Sequence, residues 1–308
     1  MKKPVIMDCD PGHDDAIALL MAFASDALCV KAVTVVAGNQ TLDKTLKNAL
    51  TVLSFAGIEV PVAAGADKPL MKELVTAPEI HGESGLAGPD LPPPTLQPAG
   101  CSAVELMADV IGQSGESITL IPTGPLTNVA LLLLAHPKLK DKIERISLMG
   151  GACFGGNRTP AAEFNIWTDP EAASIVFSSG IPITMCGLDV THKALIYREE
   201  VEEIRKLGRM GAMVAQLLDF YGKYHGSHGF QKGSPLHDPC AAAWVIDPAL
   251  ISTKRLHVDI ETRGQFTAGA TVVDYNGVLG RAPNADVAFD IDRERFIGML
   301  MRSIRYYN

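Results

Sequence analysis

Short apolar runs rich in β-branched residues alternate with helical patterns over the first 190 residues, and this alternation constrains the fold most strongly. The runs that we expect to form strands are 4–8, 30–37, 59–64, 117–122, 145–150 and 181–187. The helical patterns between them are 14–25, 42–56, 102–113, 126–135 and 169–179. Near-continuous apolar strands separated by helices are typical of a parallel sheet that is covered by helices on both faces. The sequence therefore predicts an α/β fold with an open, mostly parallel sheet.

The pattern changes after about residue 190. Two charged helical patterns, 198–207 and 210–224, precede a helix that runs through Trp244. Candidate strands at 255–262, 270–274 and 286–290 and a terminal amphipathic helix at 292–306 complete the chain. Because these elements can extend the same sheet, we expect one domain over residues 1–308.

One long segment, 66–100, has little regular pattern and contains seven prolines. A structureless segment of this length inside a compact domain is usually functional or disordered. The segment includes the sequence IHGESG, which favours a functional loop.

Composition and charge exclude several classes of function. The chain is 47% hydrophobic and 20% charged, as in ordinary compact proteins, and its net charge of −8 comes without a basic run. A nucleic-acid polymer is therefore not an expected partner, whereas a small-molecule ligand is. No apolar run approaches the roughly 20 residues that span a bilayer, and the N-terminus lacks the apolar region of a signal peptide. The six cysteines are scattered singly, which favours free thiols in a reducing cytoplasm.

The sequence VIMDCDPGHDDAIALL, residues 5–20, places four aspartates between a predicted strand and a predicted helix. Asp8 and Asp10 are two residues apart at the strand end and are expected to share a face, while Asp14 and Asp15 open the helix. Helix capping explains one or two of these carboxylates but not four. A bound hard divalent cation explains the others, because Ca²⁺ and Mg²⁺ prefer carboxylate oxygens. In an open α/β sheet, ligands bind at this end of the strands.

Three known motifs fit the sequence poorly. An EF-hand loop that begins at Asp8 would need Gly and Glu where His13 and Leu19 stand. The DxD pair partly matches haloacid-dehalogenase-type phosphatases, but Gly12 occupies the position of their Thr or Val. GACFGGNR, residues 151–158, has the glycine spacing of a phosphate-binding loop without its Lys-Ser/Thr pair.

Other polar residues follow predicted strands or precede predicted helices. Thr123 ends a strand, and its carbonyl could ligate a cation. Glu163 and Asn165 are two residues apart just before a helix, and His237 stands beside Asp238 ahead of another. Each of these signals is weak alone, since polar residues at such places are commonly caps or turn residues.

Taken in order, the motifs resemble those of the nucleoside hydrolase family, inosine-uridine-preferring group. The motifs are DCDPGHDDA, VAGNQT, IHGESG, PTGPLTN, LMGGACFGGN, AEFN, DPEAA, GLDVTHKA and HDPC, and the resemblance runs from about residue 4 to 306. Within the family, the chain is most similar to the bacterial pyrimidine-specific ribonucleoside hydrolases. The resemblance implies a Rossmann-like α/β sheet with the active site at the C-terminal ends of its strands.

The resemblance also implies one bound Ca²⁺ and hydrolysis of the N-glycosidic bond of ribonucleosides, giving ribose and free base. The implied metal ligands are the carboxylates of Asp10, Asp15 and Asp238 and the carbonyl of Thr123. The implied ribose-binding residues are Asp14, Asn39, Asn157, Glu163 and Asn165. The family also leads us to expect a homo-oligomer, a tetramer.

The expected transition state is oxocarbenium-like, so a site lined with anionic oxygens would stabilise it. Asp10 is the implied general base that takes a proton from the attacking water. For the leaving base, His81 and His237 are the first candidates and His228 is the next, with Tyr224 a further possibility in a segment, 221–233, interpreted as a lid.

The remaining aromatic side chains receive other interpretations. His13 is interpreted as standing at a variable position of the motif, and His192 as lying behind the residues that contact the ligand. His136 and His257 are interpreted as structural. Trp167 and Trp244 are expected in the core rather than against the base. Purine-selective members of the family favour a Trp that stacks on the base, so the absence of such a Trp favours pyrimidine substrates.

Two other functions remain as alternatives. A Mg²⁺-dependent phosphatase of dehalogenase type would release phosphate through an aspartyl intermediate. A non-catalytic Ca²⁺-dependent nucleoside-binding protein would bind uridine without releasing ribose.

Overall fold

A computed structural model of the chain describes residues 2–227, 229–230 and 232–308. Within these residues, eight strands form the central sheet in the order β3-β2-β1-β4-β5-β6-β12-β9. They are β1 (Lys3–Cys9), β2 (Leu28–Val35), β3 (Val62–Ala64), β4 (Ile118–Pro122), β5 (Ile143–Met149), β6 (Ile183–Cys186), β9 (Ile251–Leu256) and β12 (Ala285–Ile291). β9 pairs with β12 in antiparallel orientation, and the other neighbours in the sheet are parallel. The predicted α/β fold with a mostly parallel sheet is therefore confirmed.

Two small antiparallel sheets lie outside the central one in the described part of the chain. β7 (Leu195–Ile196) pairs with β8 (Ser234–Pro235), and β10 (Val258–Ile260) pairs with β11 (Thr271–Val273). The predicted strand 255–262 is thus wrong as one element. The chain leaves the central sheet at His257, whose main-chain carbonyl accepts a hydrogen bond from Asp274 instead of continuing the β9–β12 ladder.

Helices cover both faces of the sheet. They are α1 (His13–Ala24), α2 (Leu42–Phe55), α3 (Pro78–His81), α4 (Ala103–Gln113), α5 (Thr127–Ala135), α6 (Phe164–Thr168), α7 (Pro170–Phe177), α8 (Leu188–Thr191), α9 (Arg198–Arg205), α10 (Gly208–Ser227), α11 (Asp238–Ile246) and α12 (Arg293–Arg305). Two 3₁₀ helices span Pro137–Lys142 and Pro248–Leu250. One apolar core contains residues of α1, α2, α10, α11 and α12, and the other contains residues of α4, α5 and α7.

The alternation of side chains along β1 divides that strand between the two cores. Val5, Met7 and Cys9 pack in the core that contains α1, whereas Ile6 packs in the core that contains α5. The helix that follows, α1, is buried from His13 to Ala22, so its first turn reaches the sheet edge inside the protein.

The strand order reverses between β1 and β4, because β2 and β3 lie on one side of β1 while β4, β5 and β6 lie on the other. Ligands of open α/β sheets bind in the crevice beyond the carboxyl ends of the strands at such a reversal. The aspartate-rich turn after β1 and the turn after β4 both open into this crevice. The topology therefore places the predicted site where a site is expected.

The segment 66–100 contains one short helix, α3, and is otherwise irregular, as predicted. None of the helices in the described ranges is long and apolar enough to cross a membrane.

Candidate active site

The site is built on a cluster of buried carboxyls at the carboxyl end of the sheet. Asp10 follows β1, Asp14 and Asp15 lie in the first turn of α1, and Asp238 is the first residue of α11. Carboxylate oxygens of Asp14, Asp15 and Asp238 all lie within 4.8 Å of one another. The structure therefore brings together the N-terminal motif and the HDPC motif, which are more than 220 residues apart.

Hydrogen bonds hold two of these carboxyls in place. Asp15 accepts from the main-chain N–H of Gly12 at 3.0 Å, the Asn39 amide at 3.3 Å and the Thr123 hydroxyl at 2.7 Å. Asp14 Oδ2 accepts from the Tyr221 hydroxyl at 3.3 Å and from the main-chain N–H of Asp238 at 3.4 Å. Both aspartates are oriented by the elements that meet at the cluster.

Asp10 lies deepest and keeps one oxygen without a partner among the described residues. Its Oδ2 accepts from the main-chain N–H of Asn39 at 2.7 Å, whereas its buried Oδ1 has no hydrogen bond. Gly38 and Gly124 approach the two carboxylate oxygens so closely that a Cβ at either position would overlap them. The loops after β2 and β4 thus form a tight cradle for this carboxyl.

Burial and mutual repulsion dominate the electrostatics of the cluster. Burial, followed by the charge of Asp15, raises the pKa of Asp10 well above its ordinary value. Burial and then Asp14 do the same for the pKa of Asp238, and burial followed by Asp15 raises the pKa of Asp14 to about 7. Packed carboxylates of this kind are the donor set that a hard divalent cation prefers, and such a cation would favour their ionised form. The cluster therefore fits a metal ion.

Thr123 and Asp8 lie at the ends of two neighbouring strands. The Thr123 carbonyl accepts a hydrogen bond from the Asn165 amide at 2.7 Å, which leaves a second lone pair. Asp8 Oδ1 accepts from the Thr34 hydroxyl at 2.7 Å and the Asn128 amide at 2.9 Å, so Asp8 joins β1 to β2 and α5.

Above the cluster is a cavity of about 360 Å³. Asp14, Asn39, Asn157, Glu163 and Asn165 all line this cavity. Its floor is formed in part by Thr123 and Asp238. The five residues that were expected around a ribose are therefore collected around one space next to the acidic cluster.

Glu163 and Asn165 are held by the start of α6. Glu163 caps the helix, with main-chain N–H groups of Gly151, Asn165 and Ile166 donating to its carboxyl at 2.8, 2.9 and 3.2 Å. Burial raises the pKa of Glu163 to about 7 despite these bonds. The Asn165 amide nitrogen donates to the carbonyls of Thr123 and Met149, so its oxygen is left for a ligand.

Histidines line the outer part of the cavity. His81 comes from α3 and His237 from the turn before α11, and both were candidates from the sequence. His237 Nδ1 lies 2.7 Å from the Thr191 hydroxyl, which fixes one edge of its ring. Burial lowers the pKa of both imidazoles well below the ordinary value, so both rings are neutral at neutral pH.

Three contributors were missed in the sequence. His225 and Tyr221, one turn apart on α10, line the cavity with their rings 4.2 Å apart, and His13 is fully buried beside His81. The predicted helix ended at residue 224, whereas α10 continues to Ser227; in a helix that long, the spacing of four residues indicates that Tyr221 and His225 share a face. His192 also lines the cavity, with its ring 5.7 Å from that of His237.

Other interpretations need adjustment. The segment interpreted as a lid, 221–233, is helical as far as Ser227, and His228 lies outside the described residues. Tyr224 does line the cavity. Trp167 and Trp244 are half-buried, with Lys72 and Arg145 over their respective rings. Trp244 packs against the apolar core, and neither Trp lines the cavity.

The geometry can be compared with that of known proteins. A sequence model of the family described as "Inosine-uridine preferring nucleoside hydrolase" matches residues 5–298. This match leaves no support for the dehalogenase-type phosphatase.

Curated relatives match over the full length of the chain. "Pyrimidine-specific ribonucleoside hydrolase RihA" of Escherichia coli O17:K52:H18 is 54% identical, with 100% of both chains covered. The protein of the same name from Shewanella sp. (strain MR-7) is 56% identical, with 100% of this chain and 98% of the relative covered.

Solved structures match the fold closely. "Purine-Preferring Ribonucleoside Hydrolase from Gardnerella vaginalis" has a TM-score of 0.93 at 33% identity, and "Plant nucleoside hydrolase - PpNRh1 enzyme" has 0.91 at 32%; each match covers 99% of both chains. A structure named for a purine preference thus shares this backbone, while the two curated relatives matched by sequence are named for pyrimidine specificity.

Proposed function

This chain belongs to the inosine-uridine preferring nucleoside hydrolase family, an enzyme family, and on that premise we propose that it hydrolyses pyrimidine ribonucleosides to ribose and free base. The observation that carries this proposal is the cavity beside the buried carboxyl cluster. Asp14 and Asp238 of that cluster line it together with side-chain amides and Glu163, and the neutral imidazoles of His81 and His237 line it as well. Asp10 and Asp15 are not among its lining residues. The pyrimidine preference is supported by the two relatives, both of which are named for it.

We propose that the cluster holds one Ca²⁺ through the carboxylates of Asp10, Asp15 and Asp238 and the carbonyl of Thr123. The partnerless Oδ1 of Asp10 supports its place in this set. The compact group of oxygens is that of Asp14, Asp15 and Asp238, without Asp10. Asp14 Oδ2 is engaged by Tyr221 and by the Asp238 main chain, which favours a role toward the sugar. When bound, such a cation supplies positive charge that orients water and sugar hydroxyls and favours ionised carboxylates.

Asp10 is proposed as the general base. The main-chain N–H of Asn39 occupies one lone pair of its Oδ2, and the carboxylate has further lone pairs beyond this bond and one metal contact through Oδ1, one of which would take a proton from the attacking water. A positioned base typically contributes about 10²–10⁴-fold to the rate.

Ribose is proposed to lie against Asp14, Asn39, Asn157, Glu163 and Asn165. As the glycosidic bond breaks, positive charge develops on the sugar, and the carboxyls of Asp14 and Glu163 line the space where it forms. The amides orient the sugar through hydrogen bonds. Deoxyribonucleosides lack one hydroxyl that these groups and the cation would bind, so they should be poor substrates.

The leaving base is proposed to receive its proton or hydrogen bonds from His237 and His81, as expected from the sequence, with His225 as a further candidate from the structure. His228 remains a candidate on sequence grounds only. Because the imidazoles of His81 and His237 are neutral, each has one ring nitrogen that can donate and one that can accept. The Thr191 hydroxyl contacts one of these nitrogens, Nδ1, in His237.

We propose that the enzyme is a homotetramer that works in the cytoplasm. Five exposed apolar side chains, here called the apolar surface patch, are Phe154, Val272, Tyr275, Val278 and Leu279, and the rings of Phe154 and Tyr275 are 5.4 Å apart. Exposed apolar patches often mark subunit contacts. The six cysteines are free thiols, which suits a reducing compartment.

The proposal is tested by measuring reducing-sugar release from uridine, cytidine, inosine and 2′-deoxyuridine. We expect turnover of uridine and cytidine to exceed that of inosine, with little release from deoxyuridine. Uridine binding without ribose release would instead indicate a non-catalytic nucleoside-binding protein. Equal rates on uridine and deoxyuridine would contradict the role given to the sugar hydroxyls.

A further inference from the structure

Thr191 carries a buried hydroxyl that contacts His237 from a different part of the chain. Thr191 ends α8, the short helix after β6, and is fully buried. Its hydroxyl lies 2.7 Å from Nδ1 of His237, the residue directly before α11. β7 follows Thr191 and pairs with β8, which precedes His237, and the Leu236 main-chain N–H donates to the Ala194 carbonyl at 3.0 Å. The backbone therefore holds the hydroxyl and the ring against each other.

The hydrogen bond between these two side chains could run in either direction, and burial decides between the two. A threonine hydroxyl has one proton and two lone pairs. Within the described ranges, Nδ1 of His237 is the one hydrogen-bond partner of the Thr191 hydroxyl. If Nδ1 donated, the hydroxyl proton would be buried without an acceptor, which costs more than an unused lone pair. Thr191 therefore donates, and Nδ1 of His237 accepts.

An accepting Nδ1 determines the state of the opposite ring nitrogen. With Nδ1 unprotonated, the one N–H of the imidazole is on Nε2. His237 lines the cavity, and its Nε2 has no hydrogen-bond partner in the part of the chain that the structure describes. The Nε2–H group is therefore available to a ligand as a donor.

Such a donor suits the departure of a pyrimidine base. As the glycosidic bond breaks, negative charge develops on the ring nitrogen and the carbonyl oxygens of the base. A hydrogen bond from a neutral Nε2–H to this charge is stronger in the transition state than in the bound nucleoside, so it lowers the barrier. A hydroxyl that donates to Nδ1 polarises the imidazole and strengthens the Nε2–H donor, as neighbouring hydrogen bonds do in a chain.

We propose that Thr191 is a positioning residue, whose hydroxyl fixes the ring and the tautomer of His237 and so directs Nε2–H of His237 to the leaving base. This role rests on the proposed hydrolysis of nucleosides and adds to it the residue that orients a base-contacting histidine. Thr191 is not among the described residues that line the cavity, so its effect on a bound base must pass through His237.

Three substitutions test the hydroxyl. Thr191→Val keeps the shape of the side chain and removes the hydroxyl, whereas Thr191→Ser keeps the hydroxyl. Thr51→Val is the matched control, because it removes another buried hydroxyl, which donates to the Lys47 carbonyl in α2 at 2.7 Å.

The kinetic readout is turnover of uridine beside turnover of p-nitrophenyl β-D-riboside, whose activated leaving group departs without help from a histidine. We expect Thr191→Val to lower kcat for uridine about 3-fold to 10-fold, the range for one buried hydrogen bond, and to change turnover of the p-nitrophenyl riboside by less than about 2-fold. Thr191→Ser and Thr51→Val should stay within about 2-fold of wild type on both substrates.

The second readout is the tautomer of His237. ¹⁵N NMR of enzyme with labelled histidines distinguishes a protonated ring nitrogen from an unprotonated one, and the signals of His237 are those that His237→Gln removes. We expect a protonated Nε2 and an unprotonated Nδ1 in the wild-type enzyme at neutral pH. This measurement tests the direction of the hydrogen bond even if Thr191→Val fails to fold.

The possible outcomes separate the claims. A proton on Nδ1 of His237, or unchanged uridine turnover in Thr191→Val, would overturn the positioning role. Equal losses in Thr191→Val and Thr191→Ser, or parallel losses on both substrates, would contradict it as well, because they would indicate damage to the site rather than loss of the hydroxyl. A wild-type enzyme that releases ribose from neither substrate would overturn the proposed function itself, and the NMR spectrum would still report the state of His237.

Discussion

Asp10, Asp14 and Asp238 show at the residue scale why the cluster needs a cation. Each is almost completely buried, and burial is the largest cause of the raised pKa of each. Carboxyls that stay ionised in such a place need an opposite charge, and the chain places no lysine or arginine in hydrogen-bond contact with them among the described residues. The cost of burying these ionised carboxyls without a cationic side chain thus favours a bound metal ion.

Substitution of Asp10 by Asn should remove the general base while preserving the shape of the site. We expect kcat for uridine to fall by about 10²–10⁴-fold, because the water keeps its proton. Steady-state kinetics measure the change, and Asp26→Asn serves as the control because Asp26 is fully exposed. A variant with more than about a tenth of wild-type turnover would contradict the role of Asp10.

Glu163 should make the stability of the metal-depleted protein depend on pH. Its pKa is about 7 in the folded protein against an ordinary value of 4.5, so the folded state binds more protons between these values. Stability from this group is therefore present at low pH and is lost as pH rises through about 7, by up to about 3 kcal/mol.

Urea unfolding at pH 5 and pH 8 tests this dependence. Glu163→Gln should reduce the pH slope of the unfolding free energy by the share of this one group, because the raised pKa values of Asp10, Asp14 and Asp238 keep the remainder. Glu116→Gln, at an exposed position, should keep the full slope. An unchanged slope in Glu163→Gln would show that Glu163 is ionised in the folded state throughout.

At this scale Asp14, Asp238, the ribose-binding candidates, His81 and His237 follow from sequence motifs and line one cavity, whereas Asp10 and Asp15 lie in the carboxyl cluster without lining it. The burial of His13 against His81 did not follow from a motif, because the two residues are 68 positions apart in the chain. A lone histidine in a polar motif carries no signal that a ring 68 residues later stacks on it.

At the scale of elements, most helices and strands lie where hydrophobic periodicity places them. α10 is an exception, since it continues through Gly222 and Gly226 to Ser227 although two glycines suggest a loop. Tyr221 and His225 are buried on its inner face, and this burial offsets the low helix propensity of glycine. The strand break at His257 likewise depends on tertiary pairing that local sequence does not encode.

The turn after β4 offers a prediction at this scale. A Cβ at Gly124 would lie 2.6 Å from Asp10 Oδ1, whereas nothing lies within 4 Å of a Cβ at Gly115. Gly124→Ala should therefore displace Asp10 and weaken Ca²⁺ binding by at least about 10-fold, the result of overpacking by about 1–3 kcal/mol. Calcium titration calorimetry measures this, and Gly115→Ala should bind like wild type.

At the scale of the whole molecule, the alternating pattern predicts a parallel sheet but not its order. The reversal at β1 and β4 results from packing of both faces, and it decides where the crevice lies. We propose that the chain is one domain, because β12 pairs with β6 in the same sheet and the Tyr307 hydroxyl donates to the Leu20 carbonyl of α1 at 2.8 Å.

The apolar surface patch predicts how the oligomer can be disrupted. Val278 and Leu279 are 82% and 54% exposed, and charges placed there would be buried without partners in a subunit contact. The double substitution Val278→Asp and Leu279→Asp should shift the mass measured by light scattering from a tetramer to smaller species. The control Met71→Asp, at another exposed apolar position, should leave the mass unchanged. A tetrameric mass in the double variant as well as in Met71→Asp would show that the subunit contact lies elsewhere.

The central claim is that the buried acidic cluster and the cavity above it form one cation-dependent N-ribosidase site. The direct test is uridine hydrolysis by metal-depleted enzyme during titration with Ca²⁺, with uracil and reducing sugar measured together. We predict that activity is absent after depletion, that it returns as about one Ca²⁺ per chain binds, and that uracil and ribose appear in equal amounts. Full turnover by the depleted enzyme, or uridine binding with no uracil at any Ca²⁺ concentration, would contradict the account.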